Sequence, residues 1–136
     1  MTSPEIHELF QAALAAQANA HAPYSRYRVG AAVRSSSGRI YAGCNVENAA
    51  YPQGWCAETS AIAAMVTAGE RTIVAVATVC DGDMIGTCCG GCRQKLREFA
   101  ALDTPIYASG PEGVRATFSL GELLPHSFGP EHLTEP

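Results

Sequence analysis

"TIVAVATVCDGDMIGTCCGGCRQKLREFAAL", residues 72–102, decides how this chain folds. Its first nine residues form an unbroken, largely β-branched run, the pattern of a strand covered on both faces rather than a half-exposed one. "DGDMIG" breaks the run with turn residues. Beyond Cys89 the spacing of Leu96, Phe99 and Ala100 gives a helix one apolar face. A covered strand that feeds a helix belongs to layered α/β architecture.

The upstream sequence extends the pattern. The Ala-rich segment from Cys56 to Ala68 carries Ile62, Met65 and Val66 on one side, and Gly69 is a natural left-handed stop for that helix. "RVGAAVR" and "RIYAGC" flank a turn at Ser35 to Gly38 and read as two antiparallel strands, their alternation blurred by small residues on both faces. At the start, Ser3 caps a first helix opened by Pro4, with Ile6, Leu9, Phe10, Ala13 and Leu14 as the stripe that packs on the sheet. Downstream, "TPIYAS" and "RATFSL" are short strands around "GPEG", and "GELLPHSF" makes a helical turn before a polar tail. The expected order is α, β, β, α, β, α, β, with one further strand.

Composition narrows the class. The 136 residues are 47% hydrophobic and 16% charged, which suits one domain with one core over 1–136. The net charge is -4 and the nine Lys and Arg are scattered, so no basic stripe matches a nucleic-acid backbone. "MTSPEIHELFQAAL" lacks a positive start before an apolar run, and no stretch is long enough to span a membrane. These features lead to the expectation of a cytoplasmic protein acting on a small, weakly charged molecule.

Six cysteines are many for a reducing compartment and point to metal binding or catalysis more than to disulfides. Cys89 and Cys92 form Cys-Gly-Gly-Cys at a helix start, where exposed N–H groups favour thiolates. By itself that serves a metal ligand and a redox nucleophile equally. Cys56 opens another helix and is followed two residues later by Glu58. Alone, Glu58 reads as an acid that compensates the helix dipole and Cys56 as a small apolar residue. Together the two helix starts present three thiolates to one point, which suits a catalytic zinc that leaves its fourth position to water, with Glu58 as general acid and base beside it.

Along almost its whole length the chain resembles the small, homotetrameric zinc cytidine deaminases, in "APYSRYRVGAAV", "GCNVENAAYPQGWCAE", "CGGCRQ" and "ELLPHSFGPEHL". The resemblance implies a mixed five-stranded sheet between helix layers, and hydrolysis of cytidine and 2'-deoxycytidine to uridine and 2'-deoxyuridine with release of ammonia, a pyrimidine-salvage reaction. It implies one Zn²⁺ per subunit on Cys56, Cys89 and Cys92. Water activated by the metal attacks C4 while Glu58 moves its proton to N3 and then to the departing amine. The backbone at Ala57 matches the contact to the exocyclic amine, and Asn45 and Glu47 match the residues that hold ribose hydroxyls. Tyr27 stands where an aromatic borders the base. Phe128 corresponds to one that stacks on the base from a neighbouring subunit, and Tyr51 to a residue near the subunit contacts.

The chain departs from that family at two places. Many relatives carry Arg where Thr59 stands, offsetting thiolate charge, and Arg93 is the expected substitute. Cys88 replaces a usual Pro and puts another thiol beside the metal. Cys44 and Cys80 read as packing residues. Two rival functions are a blasticidin-type nucleoside-antibiotic deaminase and a thioredoxin-like oxidoreductase working through Cys89 and Cys92. The second leaves Cys56, Glu58, Asn45 and Glu47 without a task.

Overall fold

The structure is a computed structural model and describes residues 1–134. Helix α1 (Ser3–Gln17) is followed by strands β1 (Val29–Ser35) and β2 (Ile40–Cys44), a 3-10 turn at Tyr51–Gln53 and helix α2 (Ala57–Thr67). Strand β3 (Ile73–Cys80), helix α3 (Gly90–Phe99), strands β4 (Pro105–Gly110) and β5 (Gly113–Ser119), and the short helices α4 (Leu120–Leu123) and α5 (Glu131–Thr134) complete it. The expected order holds, and the tail adds the turn of α5.

The five strands lie in the order β2-β1-β3-β4-β5. β3 and β4 run parallel, joined across α3, and the other neighbours are antiparallel. Successive side chains on a strand point to opposite faces, so Ala31 and Val33 join one core and Ala32 the other. On the first face α1 buries Leu9, Phe10 and Ala13 against Ala75, Ala77 and Val79. On the second, α2 and α3 bury Ile62, Met65 and Leu96 against Val76 and Ile106. Each large side chain so buried contributes about 1.5–3 kcal/mol. The covered strand is β3, where only Val74 is exposed.

The helix boundaries follow local chemistry. The first helix is capped by Thr2 rather than Ser3: the Thr2 hydroxyl accepts from the Glu5 N–H while the Glu5 carboxylate accepts from the Thr2 N–H. Thr-Ser-Pro-Glu is a capping box, and the Glu three residues on decides which hydroxyl is the cap. Gly69 adopts φ +94° just past α2, the left-handed stop expected of it.

A close approach sets the position of α2. A Cβ on Gly43 would lie 2.5 Å from the Ser60 Cβ and 2.6 Å from the Ala61 nitrogen, so only glycine lets β2 pass this near the helix. The Ser60 hydroxyl donates to the Cys44 carbonyl at 2.9 Å and ties the first turn of α2 to the end of β2.

Candidate active site

Cys56 is the N-cap of α2 and Cys89 the N-cap of α3, both with extended backbone, and Cys92 lies in the first turn of α3. Neither cap side chain bonds to its own helix, so both sulfurs are free to turn outward. The sulfurs of Cys56, Cys89 and Cys92 lie within 4.8 Å of one another, and Cys56 and Cys89 are 3.8 Å apart. Tetrahedral zinc with Zn–S bonds of about 2.3 Å places its sulfurs about 3.8 Å apart. The donor set therefore fits zinc in type and spacing, and three ligands leave a fourth position for water. The unsatisfied N–H groups of two helix starts favour the anionic sulfurs.

The Cys56 and Cys92 thiols titrate as a pair. The Cys56 thiol is pulled down to about 6, first by hydrogen bonding from Cys92 and then from Cys89, against the opposing effect of burial. Cys92 is pushed up by the same pairing and by burial, because a second anion would sit against the first. A divalent cation removes that repulsion, so metal uptake and proton release are linked.

Glu58 is 5% exposed and lines the same cavity as Cys56 and Cys89. Cys88 is buried and outside the trio. Burial, and next the Glu58 charge, push its thiol well up, which favours a protonated packing residue.

Arg93 is not the cation beside the sulfurs. Its guanidinium donates to the carbonyls of Cys88 (2.7 Å) and Leu123 (2.8 Å) and to the Thr87 hydroxyl (2.7 Å), which commits it to bracing the loop before α3. Lys95 is the cation that reaches the site, donating to the Thr59 hydroxyl at 2.9 Å.

A cavity of about 440 Å³ runs from the sulfurs to the loops before β1 and after β2, with Asn45, Glu47, Ala57, Tyr27 and Tyr51 in its walls. Asn45 also acts as a clasp: its Oδ1 accepts from the Val29 N–H at 2.9 Å and its Nδ2 donates to the Tyr27 carbonyl at 2.8 Å. Glu47 accepts from the Tyr24 and Ser25 N–H groups at 2.9 and 3.1 Å and from the Ser25 hydroxyl, and these bonds hold its carboxyl below the usual range. Both side chains thus build the wall, and each keeps unused hydrogen-bonding capacity toward the cavity.

Tyr27 has its hydroxyl against Cys80. Burial and that contact raise it to about 12, so it remains a neutral phenol. Ala57 is fully buried at the first helical position. Tyr51 is 76% exposed at the rim, edge-on to Tyr24.

Phe128 is not brought to this cavity. It is 55% exposed, stacked on His132 at 4.8 Å, with its carbonyl held by Gln94. The lining residues not named as site residues from the sequence include Trp55, Thr78 and Cys80. Trp55 directly precedes Cys56 and was open to notice. Thr78 and Cys80 reach the site only because alternate residues of β3 face α2.

The model of the cytidine and deoxycytidylate deaminase zinc-binding region matches residues 3–108. A cytidine deaminase of Sporosarcina psychrophila is 36% identical over 130 residues, covering 96% of both chains. The crystal structure of cytidine deaminase from Burkholderia pseudomallei superposes with a TM-score of 0.86 at 38% identity, covering 94% of this chain and 100% of that one. That of the Mycobacterium tuberculosis enzyme does so with a TM-score of 0.78 at 38% identity, covering 90% and 96%. With three thiols at zinc spacing beside a buried carboxylate, the chain belongs to the zinc-dependent cytidine and deoxycytidylate deaminase family.

Proposed function

We propose that this protein hydrolyses cytidine and 2'-deoxycytidine to uridine and 2'-deoxyuridine with release of ammonia, within one catalytic domain of residues 1–136. The observation that carries the reading is the convergence of three cysteine sulfurs within 4.8 Å, two of them, those of Cys56 and Cys89, on residues of the cavity wall that also holds Glu58. Zinc, when bound, lowers the pKa of water toward neutrality and so supplies a nucleophile at physiological pH.

The chain's residues do the rest. Glu58 takes a proton from the attacking water, passes it to N3 of the pyrimidine and later delivers one to the departing amino group. Its burial keeps bulk water from competing for those transfers. The backbone at Ala57 reads the exocyclic amine, Tyr27 borders the base, and Asn45 and Glu47 hold the ribose hydroxyls with the capacity left over from their own clasps.

The same reading assigns Phe128 to the site of a neighbouring subunit in a homotetramer, with Tyr51 near the contact. The exposure of Phe128 on a tail held by Gln94 supports that role. The protein then works in the cytoplasm in pyrimidine salvage, with a free nucleoside as partner.

An ammonia-release assay across cytidine, deoxycytidine, cytosine, cytidine 5'-monophosphate, a cytosine-containing oligonucleotide and blasticidin S tests this. Rapid turnover of the two nucleosides alone is expected, since binding to the ribose supports chemistry at the base. Preference for blasticidin S or the oligonucleotide would overturn it.

A further inference from the structure

Beside the three sulfurs, and outside the cavity lining, α2 and α3 meet through a pair of polar side chains. Thr59 stands three residues after Cys56 and Lys95 three residues after Cys92, so each lies on the same helix face as a thiol. The Lys95 ammonium donates to the Thr59 Oγ1 at 2.9 Å, and the same oxygen lies 3.9 Å from the Cys92 sulfur. Among the described residues these are the two hydrogen-bonding contacts of the Thr59 hydroxyl. An ammonium has three donors and no acceptor. The hydroxyl must therefore accept from Lys95, and its own proton is left for the Cys92 sulfur.

We infer that Lys95, acting through the Thr59 hydroxyl, is a positioning residue for the metal centre: it aims a hydrogen bond at the Cys92 sulfur and sets one positive charge against the anionic trio. This rests on the zinc reading above. Three thiolates and one divalent zinc sum to a charge of -1, and Glu58 adds another negative group on the cavity side. One ammonium beside the site offsets part of that sum. Arg93 cannot share the task because its guanidinium is spent on the Cys88 and Leu123 carbonyls and the Thr87 hydroxyl. Groups that hold metal ligands from behind orient them and tune their basicity, and their loss typically weakens metal affinity or activity about 10- to 100-fold.

Zinc affinity, read by competition between the purified full chain and a chromophoric chelator without substrate, tests the inference independently of turnover. Lys95 is exposed, so substitution there leaves the core intact. Lys95→Met is expected to weaken zinc about tenfold, the lower end of that range for a solvated group. Lys95→Arg should restore most of the loss. Thr59→Val should weaken zinc similarly, and the double variant should be no worse than the singles, because both break one relay. The gap between wild type and Lys95→Met should narrow as salt rises toward about 1 M, where the screening length falls to about 3 Å. A bond that merely joined the two helices would instead lower the melting temperature of all variants with no rescue by Arg. Unchanged zinc affinity in Lys95→Met, or equal losses in the Met and Arg variants, would overturn the inference. Wild-type protein that takes up no zinc would overturn both this and the function above. Wild type and Lys95→Met that hold zinc and deaminate cytidine equally well would overturn this inference alone.

Discussion

Glu58→Gln separates proton transfer from metal holding. The amide has nearly the shape of the carboxylate, so a side chain that is 5% exposed in the cavity wall can be replaced without leaving a void. The three sulfurs are untouched. Removing the negative charge also relieves repulsion: with zinc the trio and Glu58 sum to -2, and with the amide to -1. Zinc should therefore bind at least as tightly as in wild type. Turnover should fall by about 10²- to 10⁴-fold, the usual contribution of a positioned acid or base. At 1.36 kcal/mol per tenfold this raises the barrier by about 2.7–5.4 kcal/mol. The assay pairs single-turnover deamination of cytidine with metal content by atomic absorption on the same sample. Turnover within about tenfold of wild type would refute Glu58 as the proton carrier, since that is less than acid-base catalysis supplies. Loss of zinc in step with activity would make Glu58 a structural support of the metal.

Cys92→Ala should behave in the opposite way, releasing zinc and lowering the melting temperature, because it removes a buried ligand from the first turn of α3; chelator treatment of wild type should reproduce the loss of activity. Asp81→Asn should cost about 1 kcal/mol or less at neutral pH, because the Arg28 pair it breaks is partly exposed to solvent. Arg28 holds the Asp81 carboxyl below its ordinary value, so its stabilisation is complete above the unfolded-state pKa. It disappears as pH falls through the folded one, and wild-type and Asn melting curves should merge there. Phe128→Ala and Glu58→Gln, unfolded together and reassembled, should give more activity than the two refolded apart, because hybrid sites can pair an intact Glu58 with an intact Phe128 of another chain. A light-scattering mass of one chain would refute that sharing.

The elements that frame the site were legible because their signals are local. The unbroken run at 72–80 marks a strand covered by two layers, and Gly69 marks a helix end by its backbone freedom alone. Placing Cys56 and Cys89 at helix starts needs only the few residues that follow each. The family motifs supplied the five-stranded sheet that local patterning left undefined. The Thr2 cap was also present in the sequence, in Glu5 three residues on, and Ser3 hid it by being an equally good cap in isolation.

Sequence spacing carries no distance between residues some 33 positions apart, and that is where tertiary structure decided. The 3.8 Å between the Cys56 and Cys89 sulfurs depends on how closely β2 admits α2, which the missing Cβ of Gly43 controls, and on the parallel step from β3 through α3 to β4. Asn45 and Glu47 were visible as polar residues facing a site, but their service as clasps appears only once the loop at 21–28 folds over them. Arg93 and Lys95 show the same division. Both are cations on one helix near the thiols, and composition cannot choose between them. The rotation of α3 can: it points the Arg93 guanidinium at two carbonyls that need donors and leaves Lys95 on the face that meets Thr59.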